Sequence, residues 1–351
     1  MSKAVTILDI AREAGVSPAT VSRVLNDSAP VAEATRKRVL AAAEAHHYAP
    51  NPFARGLVSN LSRTLGVLIP DITNPYFSLL FREVETAARQ AGYSVLLYNS
   101  SFSAADASDL TEQELEGFRR MLEQRVDGVL VIGGQADLLH VTEAYREGLS
   151  RLAAQVPVVV LGDPIREVPC RFIQRERGHG VLLALQHLTS LGHRRIAFVG
   201  GEAEVGITEA RLAAYVDGLS LLGLPLDRSL ISLSDYYAPA GYRAMKALLA
   251  SRAPFTAFLA MNDHVALGAI RALADAGLRV PEDVSCVSCD RFLTADYCIP
   301  RLTSVDQHNE RFGRALVEAL LEEIQGKPTG APRLVSPELI LRESCQPVAS
   351  P

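Results

Sequence analysis

At 351 residues with 48% hydrophobic side chains, the chain is long enough for two or three domains around substantial cores, which excludes disorder as its default state. Its formal charge of −5 is unevenly spread: residues 1–63 carry eight basic and five acidic side chains, a net +3, leaving −8 for the rest. A basic head on an acidic body points to a polyanionic partner for the head alone. Five dispersed cysteines exclude a secreted disulfide scaffold, and the Cys286-x-x-Cys289 pair sits in the apolar run "VSCVSCD" without a second pair or spaced histidines. Core thiols are expected there, with no metal or cofactor. The start of the chain has no apolar segment of signal-peptide length, and no window of about 20 residues lacks charged or turn residues. A soluble cytoplasmic protein with no membrane partner is expected.

The head reads as three short helices. Thr6 caps the first, with Asp9 as its capping-box partner, Leu8, Ile10, Ala11 and Ala14 as its apolar stripe, and Gly15 as its end. Ser17 then caps a second helix that has Pro18 at its first position and runs to about Leu25. Val21, Val24 and Leu25 share one face, which turns Ala19, Thr20, Ser22, Arg23 and Asn26 outward. Two helices joined by a tight glycine turn make a helix-turn-helix, whose second member lies in the major groove of duplex DNA. The chemistry suits that groove: Arg23 can donate two bonds to guanine, and Thr20, Ser22 and Asn26 reach bases or phosphates, while Pro18 and Ala19 offer shape and methyl contact. A third helix over about 33–46 starts at the poor cap Ala32, carries the cations of "TRKRV" and presents an alanine-rich stripe to the other two. Next, "YAPNPFARGLVSN" stops this helix at Pro50 and Pro52 and leaves about one and a half turns of possible helix. A helix that short orders only against a partner.

From residue 64 the pattern changes to continuous apolar runs alternating with amphipathic stretches: "LGVLIP", "YSVLLYN", "GVLVIGG", "PVVVLGD", "RIAFVGG", "LISLSD", "AFLAMND" and "SCVSCD". Strands apolar on both faces belong to parallel sheets covered by helices. Many of these runs end in a polar residue or glycine (Asp71, Asn99, Gly133, Asp163, Asp235, Asp263, Asp290), and in open α/β sheets ligands bind beyond the carboxyl ends of strands. A small-molecule site between two such sheets is expected. There is no G-x-S-x-G, H-E-x-x-H, G-x-G-x-x-G or complete phosphate-binding loop, so an enzyme is not.

"VTILDIAREAGVSPATVSRVLN", "TRKRVLAAAEAHHYAPNPFARGL" and "LGVLIPDITNPYF" resemble the lactose-repressor (LacI/GalR) family of transcription regulators. The likeness continues through "GHRRIAFVGG", "RLAAYVDGL", "AMNDHVALGAIRAL", "GLRVPEDVSCVSCD", "IPRLTSVDQ" and "PELILRESC". It implies an all-α helix-turn-helix head (1–49), a hinge helix and linker (50–63), and an α/β core (64–345) of two Rossmann-like lobes similar to periplasmic binding proteins, followed by a tail (346–351). The lobes are expected at about 64–174 with 306–334, and 175–305 with 335–345.

The function implied is a transcriptional repressor whose binding to double-stranded operator DNA is controlled by an effector, a sugar or sugar derivative, between the lobes. The candidate DNA-contacting residues are Thr6, Ser17, Pro18, Ala19, Thr20, Ser22, Arg23 and Asn26, with Asn51, Arg55 and Leu57 in the hinge; Leu57 matches the leucine that relatives insert between base pairs in the minor groove. For the effector, Arg211 matches the arginine that holds it and Asp290 the aspartate that accepts its hydroxyls. Asn262 matches another pocket residue, Gln307 lies at a lobe crossover, and Tyr76 and Phe77 fall where relatives stack an aromatic ring. The chain departs from the family pattern at Pro52, at His46-His47, at Glu176-Arg177 where an Asp-Asn pair is usual, and at Arg291 where a second aspartate is common. Arg177 and Arg291 would favour an anionic or phosphorylated ligand. A nucleobase corepressor and a non-regulatory sugar-binding receptor are the other readings. Because "LRESCQPVASP" contains no heptads, a homodimer is expected in place of a tail-assembled tetramer.

Overall fold

The computed structural model describes residues 5–26, 29–46, 48, 61–100, 107–327 and 336–348. The chain divides into two compact units, 1–63 and 64–351.

In the first unit α1 (Ile7–Ala14), α2 (Pro18–Asn26) and α3 (Glu33–Ala45) enclose a small core. Ile10, Ala11 and Ala14 of α1 meet Val21 and Val24 of α2 and Val39, Ala42 and Ala43 of α3, all buried. Both turns follow local chemistry. The Thr6 N–H donates to Asp9 Oδ2 at 2.9 Å, and Gly15 ends α1 in the left-handed region at φ 62°. Ser17 Oγ then accepts the Thr20 N–H at 3.2 Å at the start of α2. Ala32 supplies no side-chain bond to α3, so packing of its alanine stripe must hold that helix.

The second unit contains two sheets. The first has the order β2-β1-β3-β4-β5, all parallel: β1 (Thr64–Ile69), β2 (Ser94–Asn99), β3 (Gly128–Ile132), β4 (Val158–Leu161) and β5 (Arg171–Ile173). Its strands are apolar on both faces because both are covered. Leu65, Val67 and Ile69 pack with α4 (Pro75–Gln90) and α11 (Asn309–Ile324), while Leu68 faces α5 (Ala107–Glu123) and α6 (Glu143–Ala153). The second sheet has the order β11-β10-β9-β8-β6-β7: β6 (Ile196–Val199), β7 (Ile231–Ser232), β8 (Ala257–Ala260), β9 (Ser285–Ser288), β10 (Thr303–Asp306) and an antiparallel β11 (Glu338–Ile340). Helices α7 (His179–Ser190), α8 (Gly206–Leu221), α9 (Ala238–Ser251) and α10 (Asp263–Asp275) supply its core. The chain therefore passes between the sheets after β5, returns after β10 to place α11 on the first sheet, and comes back to the second as β11. All five cysteines are free, and burial pushes the Cys289 thiol up to about 12. No described helix is long and apolar enough to cross a membrane.

Candidate functional site

On the head, the amphipathic pattern of α2 buries Val21 and Val24 and leaves Ser17, Pro18, Ala19 and Arg23 exposed, with Thr20 and Ser22 partly covered. Ser17 and Thr20 are also tied to each other, Oγ to Oγ1 at 2.9 Å, so their first role is to start the helix. On α3, Lys37 and Arg38 are exposed and add cations to this small unit. The result is a short helix with an accessible guanidinium and small polar neighbours, the composition that reads base edges and phosphates.

Between the two sheets lies a cavity of about 290 Å³ lined from both lobes. Its most buried polar element is Arg211, on α8, facing Asp290 just beyond β9. Two parallel bonds join them, Nη2 to Oδ1 at 2.8 Å and Nη1 to Oδ2 at 3.0 Å, and Nη1 also reaches the Met261 carbonyl at 2.6 Å. Burial opposes the charge of Arg211, but the adjoining carboxylate outweighs it and holds the guanidinium protonated above its usual range. Its Nε has no partner among the described residues, a buried donor left over beside an otherwise fully bonded guanidinium. Asn262 caps α10, accepting the Val265 N–H at 2.9 Å and donating to the Tyr236 carbonyl at 3.0 Å.

The opposite wall comes from the first lobe. Asn74 caps α4 by accepting the Tyr76 N–H at 3.1 Å, which sets Tyr76 and Phe77 on its first turn, edge to face with centroids 4.9 Å apart. Arg175 lies 5.2 Å over the Tyr76 ring and donates to its hydroxyl at 2.7 Å. Burial raises the Tyr76 pKa, so the phenol stays neutral. Gly133, at φ 78°, is needed beside this pair, because a Cβ there would stand 2.8 Å from Phe77 Cε1.

Among the described residues, several contacts hold the lobes on each other. The Tyr237 hydroxyl donates to Asp71, the Leu139 N–H donates to the Glu204 carbonyl at 3.0 Å, and Leu138 forms an antiparallel bridge with Val205. Burial raises the Asp71 carboxyl, but the Tyr237 and Thr73 hydroxyls outweigh it and hold the group below its usual range.

Residues 6–51 match the family model described as bacterial regulatory proteins, lacI family, and residues 185–345 match a periplasmic binding protein-like domain. Over 342 residues the chain is 33% identical to the HTH-type transcriptional repressor CytR of Escherichia coli K12, covering 97% of this chain and 96% of that protein. The chain belongs to the LacI family. It is a DNA-binding transcription regulator with a core for a small-molecule effector, and its relatives are repressors and not enzymes. Its fold is similar to the lac repressor dimer bound to operator and the anti-inducer ONPF, with a TM-score of 0.86 at 29% identity over 98% of this chain and all of that one. It is also similar to the transcriptional regulator CelR in complex with cellobiose, with a TM-score of 0.69 at 30% identity over 97% and 99% of the two chains.

Tyr76, Phe77, Arg211, Asn262 and Asp290 are brought together around one cavity. Gln307 is not: it is buried in the crossover after β10, where its Nε2 donates to the Cys289 carbonyl at 2.9 Å, so it steadies the strand end that carries Asp290. Of the two unusual cations, Arg177 lines the cavity but is held by Asp137 at 3.3 Å and Asp163 at 3.0 Å. Arg291 lies outside it, bound to Asp296 and Asp306 at 3.0 Å each. Asn51, Arg55 and Leu57 lie outside the described residues, as does the side chain of Asn26. Arg175, Glu202, Tyr236 and Tyr237 line the cavity without having been marked by any motif. Asp71 and Asp235 had a signal, since both close apolar strand-like runs.

Proposed function

We propose that this regulator is a homodimer whose α2 helices read operator DNA through Arg23, with the surrounding polar residues and the hinge residues Asn51, Arg55 and Leu57 contacting the duplex. A polyhydroxylated effector, a carbohydrate or close derivative, occupies the cleft between the lobes and sets the DNA affinity. The protein acts in the bacterial cytoplasm, at the nucleoid. The observation that carries the effector half is the buried Arg211–Asp290 pair: one rigid unit offering a spare N–H and carboxylate lone pairs beside an aromatic wall. That combination suits a ring with several hydroxyls, which both donate and accept. The relatives supply precedent, one bound to operator as a dimer and one holding cellobiose.

A phosphorylated effector fits less well, because Arg177 and Arg211 are already neutralised by carboxylates and only Arg175, bound to the Tyr76 hydroxyl, has none. For self-association the chain offers Leu293, Tyr297 and Ile299, which are 68%, 79% and 95% exposed within seven residues. The test is binding of the full chain to promoter fragments from its own locus across salt. Affinity should fall steeply with ionic strength, and Arg23→Ala should cost about 1–3 kcal/mol on the preferred fragment but little on random duplex. Equal losses on both would reduce Arg23 to a phosphate contact. Asp290→Ala should keep DNA binding and abolish the response to the effector.

A further inference from the structure

The effector reading leaves the charge of the ligand open, and the lining of the cavity speaks to it. Five carboxylates (Asp71, Asp137, Glu202, Asp235, Asp290) face three guanidiniums. Asp290 is matched by Arg211, and Asp137 by Arg177. Asp71 is held by hydroxyls. On the second lobe Glu202 and Asp235 have no arginine of the cavity beside them. The cation nearest to Asp235 is Arg243 at 3.9 Å, an exposed residue that does not line the cavity. Glu202 makes no ion pair or side-chain hydrogen bond among the described residues, although it is half-buried. Burial and the neighbouring Asp235 both push its carboxyl up, the signature of an acceptor in want of a positive partner. A second sign that the cavity is built for a ligand is Arg211 Nε, buried on the same wall without a partner.

We propose that the effector is a polyol carrying a protonated amine, its ammonium received by Glu202 and Asp235 and its hydroxyls held by the Arg211–Asp290 unit. Glu202 and Asp235 are then the specificity-determining residues. Asp235 already accepts the Tyr237 N–H at 2.8 Å and is partly open to solvent, and an ammonium there replaces its like-charge encounter with Glu202 by two charge-assisted bonds, which neither a neutral hydroxyl nor a phosphate can make. The proposal rests on the cleft being the effector site, and the controls separate the two.

The experiment titrates the full chain with matched sets of D-glucose, D-glucosamine and D-glucose 6-phosphate, and the corresponding galactose and mannose series, read by calorimetry and thermal shift. In at least one series the amino sugar should bind about ten-fold tighter than its neutral parent, with the phosphate ester weakest. Glu202→Gln and Asp235→Asn should each bring the ratio of amine to neutral-parent affinity down toward one. Raising the pH past the ammonium's pKa should remove it in the unaltered protein, a comparison that needs no variant to fold. The proposal is overturned if the neutral or phosphorylated member equals the amine in every series, if no amino sugar binds, or if Glu202→Gln leaves amine affinity intact. Should amine binding survive Asp290→Ala, it is the assignment of the cleft that fails.

Discussion

Glu114 is fully buried in α5 and does not touch the cavity, yet one of its oxygens accepts the Gln135 N–H at 3.2 Å, inside the short turn that delivers Gly134, Asp137 and Leu138 to the lining. Burial, opposed by that bond and aided by Asp137, pushes its carboxyl up to about 8, so it is neutral at pH 7. The sign of the consequence follows by linkage. The unfolded chain ionises this group near its ordinary 4.5 and the folded chain only near 8, so its contribution to stability is full below the first value and is lost as pH rises to the second. The slope is on the order of 1 kcal/mol per pH unit. Glu114→Gln keeps the acceptor and removes the titration. Its stability advantage over the unaltered protein, from urea unfolding followed by circular dichroism, should grow between pH 5 and pH 8. Parallel curves would mean that Glu114 is charged in the fold. Arg211 and Asp290 behave differently, because a buried pair is costly to break from one side and cheap to keep whole.

At the scale of elements, closure of the cleft depends on how closely α8 approaches the first lobe. Its first residue, Gly206, has little room for a side chain: a Cβ would stand 3.0 Å from Arg177 Nη1 and 3.1 Å from the Asp137 carbonyl, so both would have to give way. Gly206→Val should therefore hold the lobes apart and weaken effector binding by about ten-fold or more, while thermal unfolding without ligand changes little. Unchanged calorimetric affinity would show that this contact is not needed for the closed form. The crossover elements show the same dependence on assembly. Helix α11 follows β10 of the second sheet but buries Phe312, Leu316 and Leu320 on the first, so each lobe is completed by chain that has already left it.

For the whole molecule, any effect of the effector on operator affinity must be matched by an equal effect of the operator on effector affinity, because the two binding free energies are linked. A homodimer doubles the head's contacts, and the apolar residues following β9 are where we place the contact between copies. Ile299→Asp sets a charge on the most exposed of them. Sedimentation should then show monomers at micromolar concentration, with operator affinity falling far more than effector affinity. A variant that remains dimeric would move the interface elsewhere.

Local signals were legible directly. Thr6, Gly15, Ser17 and Pro18 act within a few residues of themselves, so capping chemistry alone placed α1 and α2. The eight apolar runs all became strands, because a segment buried on both faces must be apolar throughout. Strands β5, β10 and β11 escaped that pattern. They are not continuous apolar runs (RFI, TSVD and ELI), and their pairing is decided by the neighbouring sheet. The same limit applies to the site. Strand-end acids such as Asp71, Asp235 and Asp290 announced themselves, and resemblance marked Arg211. That Gln307 turns to the Cys289 carbonyl, that Arg177 is neutralised while Arg291 stays outside, and that Glu202 and Asp235 share one wall of the cavity were settled only when separate strand ends and loops met in the folded core. Chain chemistry determined the elements and the kind of site. Tertiary packing decided which charges in it remain unanswered, since neutralisation depends on distance in space and not on position in sequence.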